Sequence, residues 1–273
     1  MGEYIQQQFK GFLSTPPLWK KDELFGIKQF KLPEGYLLPE ALQNLYSPHS
    51  ILGKRMESFF EHFINQTRDY DLLASNIQIN REKLTIGEID FLLKQLSNKK
   101  LLHVELVYKF YVYDPSFKEE LQRWIGPNRK DSLLQKIEKL RKKQFPLLFK
   151  NETKDFLQSI PLDPNYVEQE ACFRANLFLP KKWSRQSISL VNKECICGYW
   201  ISNEDFQAEE YKHALFYSPK KQNWPLNPRY NNIWFSFSEI RTQINFFLKK
   251  KRAPLIWMKK NKEEYERFFV VWW

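Results

Sequence analysis

Two apolar runs that carry acid groups most constrain this chain. Residues 85–93 read T-I-G-E-I-D-F-L-L, and after a polar turn at 94–100 residues 101–113 read L-L-H-V-E-L-V-Y-K-F-Y-V-Y. Both are too short to cross a bilayer, which takes about 20 apolar residues. Both have the β-branched and aromatic content of buried strands. Alternate residues of a strand share a face, so Glu88 and Asp90 point the same way. On the second run His103, Glu105, Val107 and Lys109 share one face, and Val104, Leu106, Tyr108 and Phe110 the other. Carboxylates in core strands are costly to desolvate unless they are paired or bind a cation. The pattern therefore predicts adjacent central strands whose acids serve a site.

The flanking sequence supplies the rest of a sheet. Leu72 to Ile79 reads as a preceding strand, with Asn76 and Gln78 on one face. Ser47-Pro48 offers a cap and a first-turn proline. Leu52, Met56, Phe59, Phe60 and Phe63 follow at helical spacing, predicting an amphipathic helix over 48–66 with Glu57 at the edge of its stripe. Downstream, Gly126-Pro127-Asn128 announces a second helix, with Asn128 and Asp131 in a capping arrangement. Leu133, Ile137 and Leu140 form its buried stripe and Gln144 continues it, while Lys136, Lys139, Arg141, Lys142 and Lys143 make it basic. Those cations suit either a solvated face or a track for phosphates. Residues 168–180 and 194–202 read as further strands. Helix, three strands, helix and strands together indicate an α/β fold with a β or mixed C-terminal part. Residues 1–46, punctuated by Thr15-Pro16-Pro17 and Pro33-Glu34-Gly35, are expected to form an arm with little regular structure, pinned to the core by Trp19, Phe25 and Phe30. The core then spans 47–180, and an aromatic, basic region spans 181–273.

A chain that is 42% hydrophobic and 16% aromatic is too apolar to be disordered. Its opening residues lack a basic region followed by an apolar stretch, so no secretory signal is expected. Three cysteines, Cys172, Cys195 and Cys197, suit reduced thiols and a soluble cytoplasmic protein. The net charge of +11 points to a polyanionic partner, nucleic acid being the commonest, against the plainer reading of a lysine-rich solvated surface. Seven of nine tryptophans follow Lys181, interleaved with Lys249–Arg252 and Lys259–Lys260. Such aromatics either stack bases or build the core of a β-rich module. No phosphate-binding glycine loop and no nucleophile elbow is present. Cys195-x-Cys197 is too closely spaced for a zinc site. His103 beside Glu105 reads as a ligand, a general base or a structurally satisfied side chain.

Glu57, Asp90 and Glu105, one from a helix and two from adjacent strands, are three hard oxygen donors suited to Mg²⁺ or Mn²⁺. Such an ion polarises a phosphoryl group and lowers the pKa of its bound water. Glu88, on the Asp90 face, is placed to ligate a second ion or to replace Asp90. The strings L-G-K-R-M-E (52–57), N-I-Q-I (76–79), T-I-G-E-I-D-F-L-L (85–93), H-V-E-L-V-Y-K-F-Y (103–111) and W-I-G-P-N-R-K-D (124–131) resemble a bacterial family filed as domain of unknown function 1853. S-T-P-P-L-W (14–19) looks like that family's opening, so the resemblance is strong over residues 10–150.

The layout is also similar to the restriction-endonuclease-like, PD-(D/E)XK, superfamily. That resemblance implies a restriction-endonuclease-like mixed sheet flanked by helices and metal-dependent phosphodiester cleavage. Glu57, Asp90 and Glu105 would be its metal ligands, and Gln144 would lie near the site. One departure stands out. The superfamily's lysine falls at Val107, with Lys109 one pleat further along the same face. Four residues of strand span about 13 Å against about 7 Å for two, so Lys109 needs a bulge or its full reach to act. Gln78 is then a candidate to orient the water, and Lys109 an alternative counter-ion for Glu105. The expectation is a Mg²⁺-dependent nuclease acting on DNA or RNA. The alternatives are a non-catalytic nucleic-acid-binding protein with a degenerate site, and a partner-binding protein that docks through its Trp-rich third.

Overall fold

The two apolar runs form neighbouring antiparallel strands, as part of a three-stranded meander with the strand before them. A computed structural model describes residues 2–33, 51–160 and 162–273. In chain order come α1 (Gly2–Ser14), a short hairpin of β1 (Glu23–Leu24) and β2 (Ile27–Gln29), and α2 (Leu52–Gln66). The meander follows as β3 (Tyr70–Arg81), β4 (Leu84–Gln95) and β5 (Leu101–Tyr113). Next are α3 (Glu120–Arg123), β6 (Trp124–Ile125), α4 (Leu133–Lys139) and α5 (Lys154–Gln158). The chain then forms β7 (Val167–Pro180), β8 (Ile196–Ser202), β9 (Leu215–Tyr217), α6 (Phe237–Lys249), β10 (Leu255–Lys259) and β11 (Tyr265–Val271).

Among the described residues the strands join in one eleven-stranded mixed sheet, with the path β3-β4-β5-β7-β8-β11-β10-β9. Pairing is antiparallel through β3, β4 and β5, parallel through β5, β7, β8 and β11, and antiparallel again through β10 and β9. The parallel pair at the centre runs in register from Leu101↔Val167 to Val112↔Phe178. A parallel connection needs a long crossover, and α4 and α5 lie within it. Covered on both faces, β5 and the second half of β7 are almost continuously buried.

One face of the meander packs on α2: Met56, Phe59, Phe60 and Phe63 join Phe91, Val104, Leu106 and Tyr108 in one core. The other face packs on α4, whose Leu133, Ile137 and Leu140 meet Val107, Tyr111 and Phe173. The protein is thus an α/β fold with a large mixed sheet flanked by helices. No helix among the described residues is long and apolar enough to cross a membrane.

The expected unstructured arm opens instead with a thirteen-residue helix, α1. Its Ile5, Phe9 and Phe12 follow at helical spacing and pack into the α2 core. The orphan carbonyls at its C-terminal end are taken by the buried Arg174 of β7, which donates from Nη1 to Leu13 O at 2.9 Å and also to Thr15 O. Two polar links tie α1 to distant parts of the chain. Arg55 of α2 donates to Gln8 Oε1 at 2.6 Å, and Gln8 donates to Asn223 Oδ1 at 2.6 Å.

The expected helix start at Ser47-Pro48 lies outside the described residues; α2 is described from Leu52, preceded by Ile51 at its cap. The second helix is capped not by Asn128 but by Ser132, whose hydroxyl accepts from Gln135 N at 3.2 Å. Asn128 instead accepts from Ala253 N at 2.8 Å, and Asp131 accepts from Lys109 Nζ at 2.7 Å. After Lys139 the helix widens into a π-turn over Leu140–Gln144.

Most of the late tryptophans are core or edge packing. Trp224 and Trp257 are buried, and Trp200, Trp234, Trp272 and Trp273 are partly buried against the same core. Trp183 is 37% exposed. Between β8 and its neighbours the backbones approach so closely that a Cβ on Gly198 would sit 2.2 Å from Arg267 O and 2.8 Å from a ring carbon of Phe178. Gly198→Ala is therefore expected to destabilise the fold by about 1–3 kcal/mol, read as a lowered denaturant midpoint. An unchanged midpoint would contradict this packing.

Candidate functional site at the fork of two strands

β4 and β5 pair from Lys94↔Leu101 as far as Phe91↔Val104, and there they part. Asp90 and Glu105 are the next residues on each strand, so both carboxyls stand in the fork. Asp90 takes over the next ladder position, its Oδ2 accepting from Leu106 N at 2.9 Å. The gap between the strands lets residues from α2 and α4, on opposite faces of the sheet, reach one cleft of about 380 Å³. Glu57, Glu88, Asp90, Lys54 and Lys136 line it, with Lys139 and Lys143 among its outer residues.

Glu57, Glu88 and Asp90 each offer a carboxylate oxygen, and the three oxygens lie within 4.8 Å of one another. Lys54, one turn before Glu57 on α2, reaches into this group. Its Nζ is 2.7 Å from Glu57 Oε2, donates to Glu88 Oε1, and lies 3.2 Å from Asn76 Oδ1. Burial pulls the Lys54 pKa down, but its hydrogen bonds to Glu57 and Glu88 outweigh this and hold it above the ordinary value.

Glu105 is fully buried and serves a different network. Its Oε2 accepts from Gln144 Nε2, and Gln144 Oε1 accepts from Lys136 Nζ at 2.7 Å. Its Oε1 lies 3.0 Å from His103 Nε2. The amide nitrogen of Gln169 is 3.0 Å from His103 Nδ1 and donates to Phe145 O at 2.7 Å. An amide nitrogen only donates, so Nδ1 is the acceptor and the ring proton sits on Nε2, donated to Glu105. Burial drives the His103 pKa down to about 4, so the ring is neutral. His103 is therefore a satisfied hydrogen-bond partner that orients Glu105.

The acids at the fork resist ionisation. Burial, then the charges of Glu105 and Glu57, push Asp90 well above the usual carboxylate range. Burial also raises Glu105, against the pull of Lys136. Lys136 is lowered by burial, an effect that Glu105 and Asp90 oppose. A raised carboxyl keeps its proton in the folded state after the unfolded chain has lost its own near pH 4. Asp90's contribution to stability is thus intact below that range and is lost as pH rises toward the folded-state pKa. Asp90→Asn removes this penalty. Without divalent cations, the variant's melting temperature is expected to gain on that of the native chain steadily from pH 5 to pH 8. A pH-independent difference would show that Asp90 ionises normally.

Of the expected metal ligands, Glu57 and Asp90 come together at the fork, but Glu105 does not join them: it is fully buried against His103 and Gln144, and Glu88 takes the third place in the cluster. Gln78 lies directly opposite Glu88 on β3, but it is exposed on the flank of the cleft. Lys109 is not the counter-ion of Glu105: its partner is Asp131. Lys54 and Lys136 are the two cations that the sequence did not single out. Each sits at the border of a buried helical stripe, next to Arg55 and Ile137 respectively, the one signal that separated them from other surface lysines.

Over 150 residues the chain is 29% identical to tRNA pseudouridine synthase B of Campylobacter jejuni subsp. jejuni, a match covering 54% of this chain and 50% of that protein. The chain thus spans about half the length of this relative. No solved structure matches the chain. The spaced strings that frame the fork fall within residues 34–271, which match the model of the Domain of unknown function (DUF1853) family, and the chain belongs to that family.

Proposed function

We propose that the protein is a Mg²⁺-dependent nuclease of restriction-endonuclease-like fold, hydrolysing phosphodiester bonds in DNA or RNA. The observation that carries this reading is the convergence at one fork of Glu57 from the first core helix, Asp90 from the second strand, Glu105 from the third and Gln144 from the following helical segment. The PD-(D/E)XK resemblance implies Glu57, Asp90 and Glu105 as ligands; here Glu88 stands in the cluster in place of Glu105. The donor set suits the ion, since clustered carboxylate oxygens are what Mg²⁺ and Mn²⁺ prefer. Glu57, Glu88 and Asp90 would hold it, and the cluster already accommodates a positive charge, the Lys54 ammonium. A bound ion supplies Lewis acidity toward the phosphoryl oxygen and a water of lowered pKa.

The chain's own groups divide the remaining tasks. Lys136, held by Gln144, supplies from α4 the ammonium that Val107 cannot, and would stabilise charge developing on the phosphate. Glu105, oriented by His103 and Gln144, keeps Lys136 facing the cleft. Lys139 and Lys143 neutralise backbone phosphates at its mouth. The relative named as a tRNA pseudouridine synthase supports including structured RNA among the substrates. The ion pairs of Lys54 with Glu57 and Glu88 favour a second reading, a nucleic-acid-binding protein that has lost catalysis.

The test incubates the protein with linear and circular DNA, single strands and structured RNA, each with Mg²⁺, Mn²⁺ or EDTA. Cleavage that requires the ion supports the nuclease and names its substrate. Salt-sensitive binding with no cleavage under any condition would replace it with the second reading.

A further inference from the structure

We propose that Lys54 is an internal counter-ion that holds the place of the divalent cation between Glu57 and Glu88 and is displaced when that cation binds. The inference rests on the metal-dependent reading of the fork. Lys54 lies in the first turn of α2, where the helix dipole disfavours a cation. It also precedes Glu57 by three residues, the less favourable order for a helical ion pair. Nothing in the helix itself therefore accounts for a lysine there, whereas the two carboxylates do. They come from different elements, α2 and β4, and would repel each other across the cleft without a cation between them.

A third acceptor completes the seat. Asn76 adopts left-handed backbone (φ 52°), which asparagine tolerates better than most residues, and its Oδ1 lies 3.2 Å from the ammonium. The seat is not sealed. The Lys54 side chain is 37% exposed against 15% for Glu57, so the ammonium has a path to solvent while the carboxylates stay in place. The ion and Lys54 then compete for the same oxygens, and without the ion the ammonium offsets the repulsion that would push the two carboxylates apart.

The experiment is a calorimetric titration of Mn²⁺ into the full chain without nucleic acid, comparing native protein with Lys54→Gln and Lys54→Arg. Removing a competing charge a few ångströms from the oxygens is expected to tighten Mn²⁺ binding by about tenfold or more in Lys54→Gln. Lys54→Arg, which keeps the charge, is expected to bind as weakly as the native chain. Adding Asp90→Asn to Lys54→Gln should abolish the gain. Equal affinities in the native and Lys54→Gln proteins, both lost on Asp90→Asn, would overturn the role of Lys54 and leave the metal site standing. No saturable binding by any folded variant, checked by circular dichroism, would overturn both.

Discussion

Asp90→Asn is expected to abolish metal-dependent cleavage, lowering its rate by about a thousandfold or more. The amide keeps the shape of the carboxyl and still offers an oxygen to Leu106 N, so the end of the β4–β5 ladder is preserved. What it loses is the capacity to present an anionic oxygen to a bound cation, and with it one of three clustered oxygen ligands. The same change is expected to raise stability at neutral pH, because a buried carboxyl that resists ionisation is gone. Loss of activity together with gained stability is hard to reproduce by misfolding. Cleavage within tenfold of the native rate, measured on the substrate found in the assay, would remove Asp90 from the chemistry and the nuclease reading with it.

The second large effect is expected at Lys136. Lys136→Met keeps much of the aliphatic stem but deletes the ammonium that bonds Gln144 and sits near Glu105 and Asp90. A positioned cation facing developing charge contributes about a hundredfold, so cleavage should fall by that order while Mn²⁺ affinity stays close to native. The pH profile separates a chemical from a structural role. Burial holds the Lys136 pKa below that of ordinary lysine, and the protonated form is the useful one. Native activity should therefore decline on the alkaline side earlier than an exposed lysine would dictate. Lys136→Arg should push that decline to higher pH. A Lys136→Met enzyme with native rate and profile would return the role to another cation of the cleft.

The strands of the site were legible because burial on both faces imposes continuous apolar runs, and because Glu88, Asp90 and Glu105 interrupt those runs at a cost that demands a reason. The helical stripe of Met56, Phe59, Phe60 and Phe63 marked α2 in the same way. The nearness of Asp90 and Glu105 followed from the adjacency of their strands. The fork itself was hidden, since where two strands stop pairing depends on tertiary structure, here with the Asp90 carboxyl replacing a backbone partner, and not on alternation. Lys136 was hidden among five cations of one helix, where only tertiary packing distinguishes a half-buried lysine from solvated neighbours. α1 was masked by the Pro16-Pro17 that follows it, which made the whole segment read as extended. Its end is in fact fixed by Arg174, more than 150 residues later in the chain.

The polar chain from Arg55 through Gln8 to Asn223 has a bearing on when the cleft can exist. Ribosomes deliver Glu57, Asp90, Glu105, Lys136 and Gln144 well before the segment around Asn223 emerges. Yet α2, which carries Lys54 and Glu57, is braced by α1 and by Trp224, Leu226 and Phe269 in a single core. A nascent chain thus holds every acid of the fork without the scaffold that aims the first of them. The position of Glu57 in the cleft therefore depends on residues more than 150 positions later in the chain.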